Sequence, residues 1–289
     1  MTMKFYFILY ECFLLLVSTN ASNSQALVPF TYHGAEHKKT FLAANRVFEF
    51  SKLTNQRIKI TQKYKANGAG LGSAVWDGSF VLAEYMQRKV DVKDKCVVEI
   101  GCGLGLVSIV LSLRNAYVIA TDGDENLFPI LKENFKDNIG ISNVNKKTSI
   151  NLLRWGNRTQ MDNVINKCPN GIDLIVAADV VFEHDPLKKN VKNNLHSANV
   201  TFPLLYNTLK YLSSHNKKKR PEIYLAYKQR YSREGSFFSL MQDSFDVTHI
   251  SRRDIHRDFI KAKIKIFKFL LKKEVQITNT TTRKAKDEL

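Results

Sequence analysis

Cysteine is scarce: the 289 residues hold four, Cys12, Cys96, Cys102 and Cys168. None stands in a Cys-x-x-Cys spacing, which argues against the common zinc frameworks, and no metal is expected. Cys12 lies in a segment expected to be removed. The other three are expected to form no disulfide framework. Cys96 and Cys102 bracket one predicted strand, and a bridge between them would distort the turn that follows. Acidic residues are also in short supply, 27 Asp and Glu against 44 Lys and Arg, leaving a net charge of +17. Such a balance can serve nucleic acid, anionic membrane or acidic protein partners. Here the excess sits in scattered segments such as Asn145-Lys146-Lys147 and Asn216-Lys217-Lys218-Lys219-Arg220. No basic stripe interleaved with aromatics is present, so nucleic acid is not the expected partner. Internal repeats are missing. So is any second apolar span long enough to cross a bilayer, which limits membrane attachment to an uncleaved N-terminal segment.

What the chain does have begins at its ends. Lys4 is followed by an apolar stretch over 5–17 and small residues around Thr19 and Ala21. This is the grammar of a secretory signal over 1–21, with Glu11 its one departure. The final Lys286-Asp287-Glu288-Leu289 matches an endoplasmic-reticulum retention signal. Together they predict the lumen of the endoplasmic reticulum. The shortage of cysteine leaves the cytoplasm as the alternative. Asn20, Asn157, Asn199 and Asn279 head Asn-x-Ser/Thr sequons.

Hydrophobic residues make up 44% of the chain, enough for one sizeable core. Segments 46–50 and 57–61 alternate apolar and polar residues and read as a small hairpin within an N-terminal extension over 22–72. A main domain over 73–275 follows, then a tail over 276–289 expected to be disordered. In the main domain the pattern predicts a helix over 75–88, then strands over 96–100, 116–121, 147–153, 172–177 and 222–227. Helices are expected over 105–113, 125–137, 201–213 and 234–242, and a closing hairpin over 245–250 and 263–269. The polar stretch 188–199 reads as a long loop. Strand and helix alternate, so the fold class is α/β, a doubly wound, Rossmann-like seven-stranded sheet ending in an antiparallel hairpin.

Chemistry concentrates where the first core strand ends. Val97-Val-Glu99-Ile-Gly101-Cys-Gly103-Leu-Gly105-Leu106 runs from an apolar strand through a glycine turn into a helix. The dinucleotide fingerprint needs its third glycine at position 106, which is leucine here. The early glycine, Gly105, fits a cofactor without a pyrophosphate better than NAD. Asp122 ends the second core strand about twenty residues after Gly101, where an acid meets ribose hydroxyls. Trp155, in Leu153-Arg-Trp-Gly156, could lie along an adenine face. Trp76, in Val75-Trp-Asp77, could cover the aliphatic arm of the same cofactor. Ala178-Asp179-Val-Val-Phe182 leaves the fourth core strand at the carboxyl ends, where ligands bind in such sheets. Arg230 leaves the fifth, placed to orient a carboxylate of substrate or protein.

In this order the segments resemble the seven-strand S-adenosylmethionine-dependent protein-lysine methyltransferases, the branch that modifies chaperones and translation factors. The resemblance spans about residues 70–250. It implies a cofactor site of Trp76, Glu99, Gly101, Gly103, Gly105, Asp122, Trp155 and Ala178. It implies S-adenosylmethionine as cofactor and a protein substrate, a chaperone among the candidates. Asp179 and Phe182 would face the acceptor, with Asp179 accepting a hydrogen bond from the amine. Phe182 departs from the family, which carries tyrosine there. A histidine-modifying relative, a nucleic-acid methyltransferase and a silent module of the same fold remain alternatives. The nucleic-acid enzymes carry a Pro-Pro pair where this chain has Val180-Val181.

Overall fold

Runs of β-branched and aliphatic residues without polar alternation form strands buried on both faces, as parallel sheets require. In the computed structural model the described residues are 28–29, 43–53, 56–63, 70–182, 198–215, 220–256, 259–260 and 262–273. The signal-like segment, the tail over 276–289 and nearly all of the 188–199 stretch lie outside them.

The central strands are β4 (Cys96–Ile100), β5 (Tyr117–Asp122), β6 (Thr148–Leu152), β7 (Leu174–Ala178) and β8 (Glu222–Lys228). They pair in parallel in the order β6-β5-β4-β7-β8, with Ile100 opposite both Thr121 and Ala177. The antiparallel strands β9 (Phe245–His249) and β10 (Ile264–Leu271) complete seven, with β10 inserted between β8 and β9. The predicted α/β plan with a closing hairpin is the observed one. The chain reverses its winding between β4 and β7, so the crevice opens at the carboxyl ends of these two strands.

Helices α1 (Asp77–Lys89), α2 (Leu106–Leu113) and α3 (Phe128–Ile139) follow the expected apolar periods. α3 is entered through a 3₁₀ turn at Glu125–Leu127, whose cap is Asp124 accepting from the Asn126 N–H at 3.1 Å. Two helices escape sequence reading: α4 (Ile141–Lys147) and α5 (Arg158–Asn166). α4 is seven residues of mostly polar sequence, and α5 shows only Met161, Val164 and Ile165 as a buried stripe, a period too short to stand out from its polar surroundings. α6 (Ala198–Ser214) and α7 (Gly235–Ser244) flank the other face.

The N-terminal hairpin is β2 (Asn45–Glu49) against β3 (Arg57–Thr61), with β1 (Val28–Pro29) added in parallel. Phe48, Ile58 and Ile60 are fully buried in the same apolar cluster as α1 and α2. The rings of Phe48 and Phe50 lie 6.0 and 5.2 Å from that of Phe80 on α1. Asn134 and Asn138 of α3 hydrogen-bond the β3 backbone. The hairpin is thus built into the main core.

One expectation is overturned. Cys96 and Cys168 form a disulfide, Cα atoms 6.0 Å apart, and only Cys102 is a free cysteine among the described residues. The sequence spacing offers no pairing for Cys96, but the fold pairs it with a residue 72 positions on. Asp173, just before β7, donates its N–H to the Cys96 carbonyl and accepts from the Cys96 N–H, each at 2.9 Å. That clasp brings the loop after α5 against the start of β4.

Candidate active site

The turn after β4 is bare backbone. Gly101, Gly103 and Gly105 have φ of 66°, 51° and 84°, the left-handed region. A Cβ on Gly103 would stand 2.9 Å from the Gly72 carbonyl oxygen, because the segment 70–73 lies directly over the turn. A Cβ on Gly105 would instead meet Leu131 of α3 at 2.5 Å, so Gly105 serves packing.

Asp122 faces this turn. Its Oδ2 accepts from the Gly103 N–H at 2.9 Å and its Oδ1 from the Asp124 N–H at 3.0 Å. Burial pushes its carboxyl above the ordinary range, and those same main-chain donors oppose the rise. Each oxygen keeps a lone pair for a further donor, such as a sugar hydroxyl. Glu99 lies near the end of β4. It is buried behind the turn, its Oε2 accepting from the N–H of Ser108 at 2.9 Å and from the Ser108 hydroxyl. Burial pushes it up to about 8 despite those bonds. Glu99 therefore locks α2 to β4 and shapes the turn from beneath.

Across the crevice, Asp179 follows β7 with a left-handed φ of 54°, rare for a non-glycine residue. Such a conformation persists where its surroundings hold it. Here Oδ2 accepts from the Gly78 N–H at 2.8 Å, and Oδ1 accepts from Arg230 Nη2 at 2.8 Å. Gly78 must be glycine, since a Cβ there would lie 2.3 Å from Oδ2. The Asp179 side chain is only 3% exposed and that of Arg230 26%. The Arg230 guanidinium carbon sits 5.1 Å from the Trp76 ring centroid, within cation–π range. Trp76 is half-buried, its indole N–H donating to the Leu71 carbonyl at 2.9 Å. The expectation that Arg230 orients a carboxylate resolves to one within the chain.

Glu234 holds the Arg230 loop. Fully buried, its Oε2 accepts from the N–H of Arg230 and the Tyr227 hydroxyl, both at 2.8 Å, and from the Tyr231 N–H at 3.2 Å. Gly78, Ser108 and Glu234 were not legible as site residues, since each acts through a contact that only the fold creates. Ala178, the last residue of β7, is nearly buried at the crevice floor. Trp155 is half-buried on the β6 side, where the Leu153 N–H bonds the Asp122 carbonyl at 2.9 Å. Phe182 is half-buried and ends the described segment.

Among the described residues no group of three or more His, Cys, Asp or Glu is placed to hold a metal. The fit to an adenosyl cofactor is good: bare turn backbone, a strand-end carboxylate with free acceptor capacity, and aromatic residues on both flanks. A glycine turn after the first core strand, faced by the strand-end carboxylate of Asp122 and set on this sheet order, is the arrangement of an S-adenosylmethionine-dependent methyltransferase. Residues 52–244 match the lysine methyltransferase family, and the chain belongs to it. It is 30% identical to protein N-lysine methyltransferase METTL21A of Xenopus tropicalis over 235 residues, 80% of this chain and 94% of that protein. It is 33% identical to the EEF1A lysine methyltransferase 3 of the same organism over 174 residues, 60% of this chain and 64% of that one. Among solved structures, a Synechocystis magnesium protoporphyrin IX methyltransferase with bound S-adenosylmethionine matches at 11% identity and a TM-score of 0.44, covering 67% of this chain and 78% of that one.

Proposed function

We propose that this methyltransferase modifies the side-chain amine of a lysine on a protein partner, and that it works in the lumen of the endoplasmic reticulum, where a lumenal chaperone is the natural candidate. The observation that carries the acceptor reading is the Asp179–Arg230 pair beside Trp76, next to the glycine turn at the carboxyl ends of β4 and β7. Support for the lumen comes from the Cys96–Cys168 disulfide, which belongs to oxidising compartments, and from the address-like segments of the sequence.

When bound, S-adenosylmethionine supplies an electrophilic methyl whose bond to sulfur breaks as the new C–N bond forms, the electron pair staying on sulfur. The protein supplies placement. Asp122 and the backbone of Gly101–Gly103 would hold the adenosyl half, and Trp76 and Trp155 would flank it. Holding amine and methyl in line contributes on the order of 7–11 kcal/mol. Phe182 leaves the acceptor mouth without a tyrosine hydroxyl, so amine orientation falls to the Asp179 carboxylate, whose lone pairs exceed its two bonds.

The test is incubation of the purified protein with methyl-labelled cofactor and separate lumenal and cytosolic extracts, followed by mass spectrometry of the labelled band. Methyl-lysine on a lumenal protein is expected. Label on histidine or nucleic acid would overturn the acceptor, and label in the cytosolic fraction alone would overturn the location. Asn157 gives a second measure of location: it is exposed, and its Oδ1 caps α5 from the Gln160 N–H at 3.0 Å, leaving Nδ2 to carry a glycan. An endoglycosidase-sensitive mass at Asn157 is expected of protein from cells.

A further inference from the structure

A carboxylate beside an acceptor lysine creates a difficulty. The amine attacks only when neutral, and its reference pKa is about 10.4. An ionised carboxylate close by favours the ammonium and raises that pKa by about 1–3 units. At neutral pH each unit costs roughly a factor of ten in the reactive form. A bare Asp179 would therefore hold the substrate in its unreactive state.

The fold answers this difficulty. Asp179 does not stand alone: one oxygen is bound by the Gly78 N–H at the start of α1 and the other by the guanidinium of Arg230, both at 2.8 Å. Arg230 is itself held. Its backbone N–H is fixed on buried Glu234, its Nη1 donates to the Lys228 carbonyl at 3.2 Å, and its face lies over Trp76. We infer that Arg230 is a positioning residue for methyl transfer: by cancelling the charge of Asp179 it lets Asp179 accept a hydrogen bond from the incoming lysine without stabilising that lysine as an ammonium ion. The inference rests on the reading of Asp179 as the residue beside the acceptor amine.

Other charged groups around the pair do not take over this task. From α1 the nearest is Asp77, buried at the helix start, with the buried Arg46 as its neighbour beneath Val75. From the β8 exit it is Glu234, with the Tyr227 hydroxyl bound to it. From β5 it is Asp122, bound to the glycine turn. Three of these four charges are negative, so losing Arg230 would leave the pocket with a net anionic excess.

The experiment measures initial rates of transfer from tritium-labelled S-adenosylmethionine to protein in a whole-cell extract, against pH, for wild type, Arg230→Met, Arg230→Lys and Arg230→Met with Asp179→Asn. Wild type should rise with pH to a plateau as the acceptor loses its proton to water. Arg230→Met should shift that rise to higher pH by about one unit or more. Arg230→Lys should keep the wild-type midpoint within a few tenths, and Asp179→Asn in the Met background should bring the midpoint back. A lower plateau in Arg230→Met with an unchanged midpoint would overturn the inference, because it would make Arg230 a mere structural support. Should the Met variant fail to fold, a shifted midpoint in Arg230→Lys would overturn it equally. A wild type that labels no lysine in any extract refutes the parent reading instead.

Discussion

The Cys96–Cys168 bond is expected to be a large contributor to stability, and the size can be worked from its span. The two residues are 72 positions apart. On the chain-entropy argument, closing a loop of this length in the unfolded state stabilises the fold by about 4.4 kcal/mol. For a domain of this size each kcal/mol moves Tm by about 2–4 °C, so removing the bond lowers Tm by roughly 9–18 °C. The perturbation is Cys96→Ala with Cys168→Ala. Alanine avoids placing a hydroxyl at position 168, which is 1% exposed among apolar neighbours. A parallel melt of wild type with and without a phosphine reductant separates the bond from the lost side chains. Alkylation of denatured, unreduced protein followed by peptide mass spectrometry reads the bond directly, and Cys96 and Cys168 should escape label. The loop closed by the bond contains the glycine turn, Asp122 and Trp155, so S-adenosylmethionine affinity should fall with stability. A double variant melting within about 2 °C of wild type, or full labelling of both cysteines in protein made in an oxidising compartment, would refute the reasoning, and with it the main support for a lumenal location.

The other predictions concern the site. Gly78→Ala should lower stability by about 1–3 kcal/mol and cut transfer sharply, because its Cβ collides with Asp179; unchanged melting and rate would refute the packing. Asp122→Ala should weaken S-adenosylmethionine about 10–100-fold by calorimetry, the size of lost hydrogen bonds to a charged group; less than a threefold change would remove Asp122 from the cofactor site. Glu99 titrates at about 8 when folded against an ordinary 4.5. Between those values the folded chain holds the extra proton, so its contribution is full below the lower value and is lost as pH rises through the upper one. Glu99→Gln should flatten the fall in Tm between about pH 5 and pH 9, and parallel slopes for the two proteins would show that Glu99 does not titrate there.

Local signals were the legible ones. The β4 turn reads directly, since an apolar run into closely spaced glycines has few other uses, and Asp122 reads from its distance to that turn. The hairpin of β2 and β3 reads from alternation in a five-residue frame. What stayed hidden depends on register between distant strands. The disulfide needs β4 and β7 to lie side by side, with Asp173 clasping Cys96. The short helix α5 buries only Met161, Val164 and Ile165 on one side of an otherwise polar sequence, and the Asn157 cap that starts it is a local contact that periodicity does not show. The bonds of Glu99 to Ser108 stayed hidden because β4 is buried on both faces, so alternation cannot tell crevice from core. Arg230 was placed at the right mouth, but its carboxylate could be named only once β7 and β8 were paired.

Asp179 is the point where these separate readings converge. A single carboxylate ties the start of α1 to the end of β7 across 101 positions and to the exit of β8 across 51. The first tie fixes the helix that follows Trp76. The second fixes the cation that lies over the same indole. Truncating Asp179 would take the acceptor from the buried Gly78 N–H, at a cost of about 1–3 kcal/mol, and release one contact of the partly exposed Arg230 guanidinium. Its effects on cofactor and on acceptor are therefore coupled, and Asp179→Ala cannot separate them. The separable element is Arg230, whose side chain reaches the pair from a partly exposed loop and whose charge, not its shape, is the property that the acceptor amine would sense.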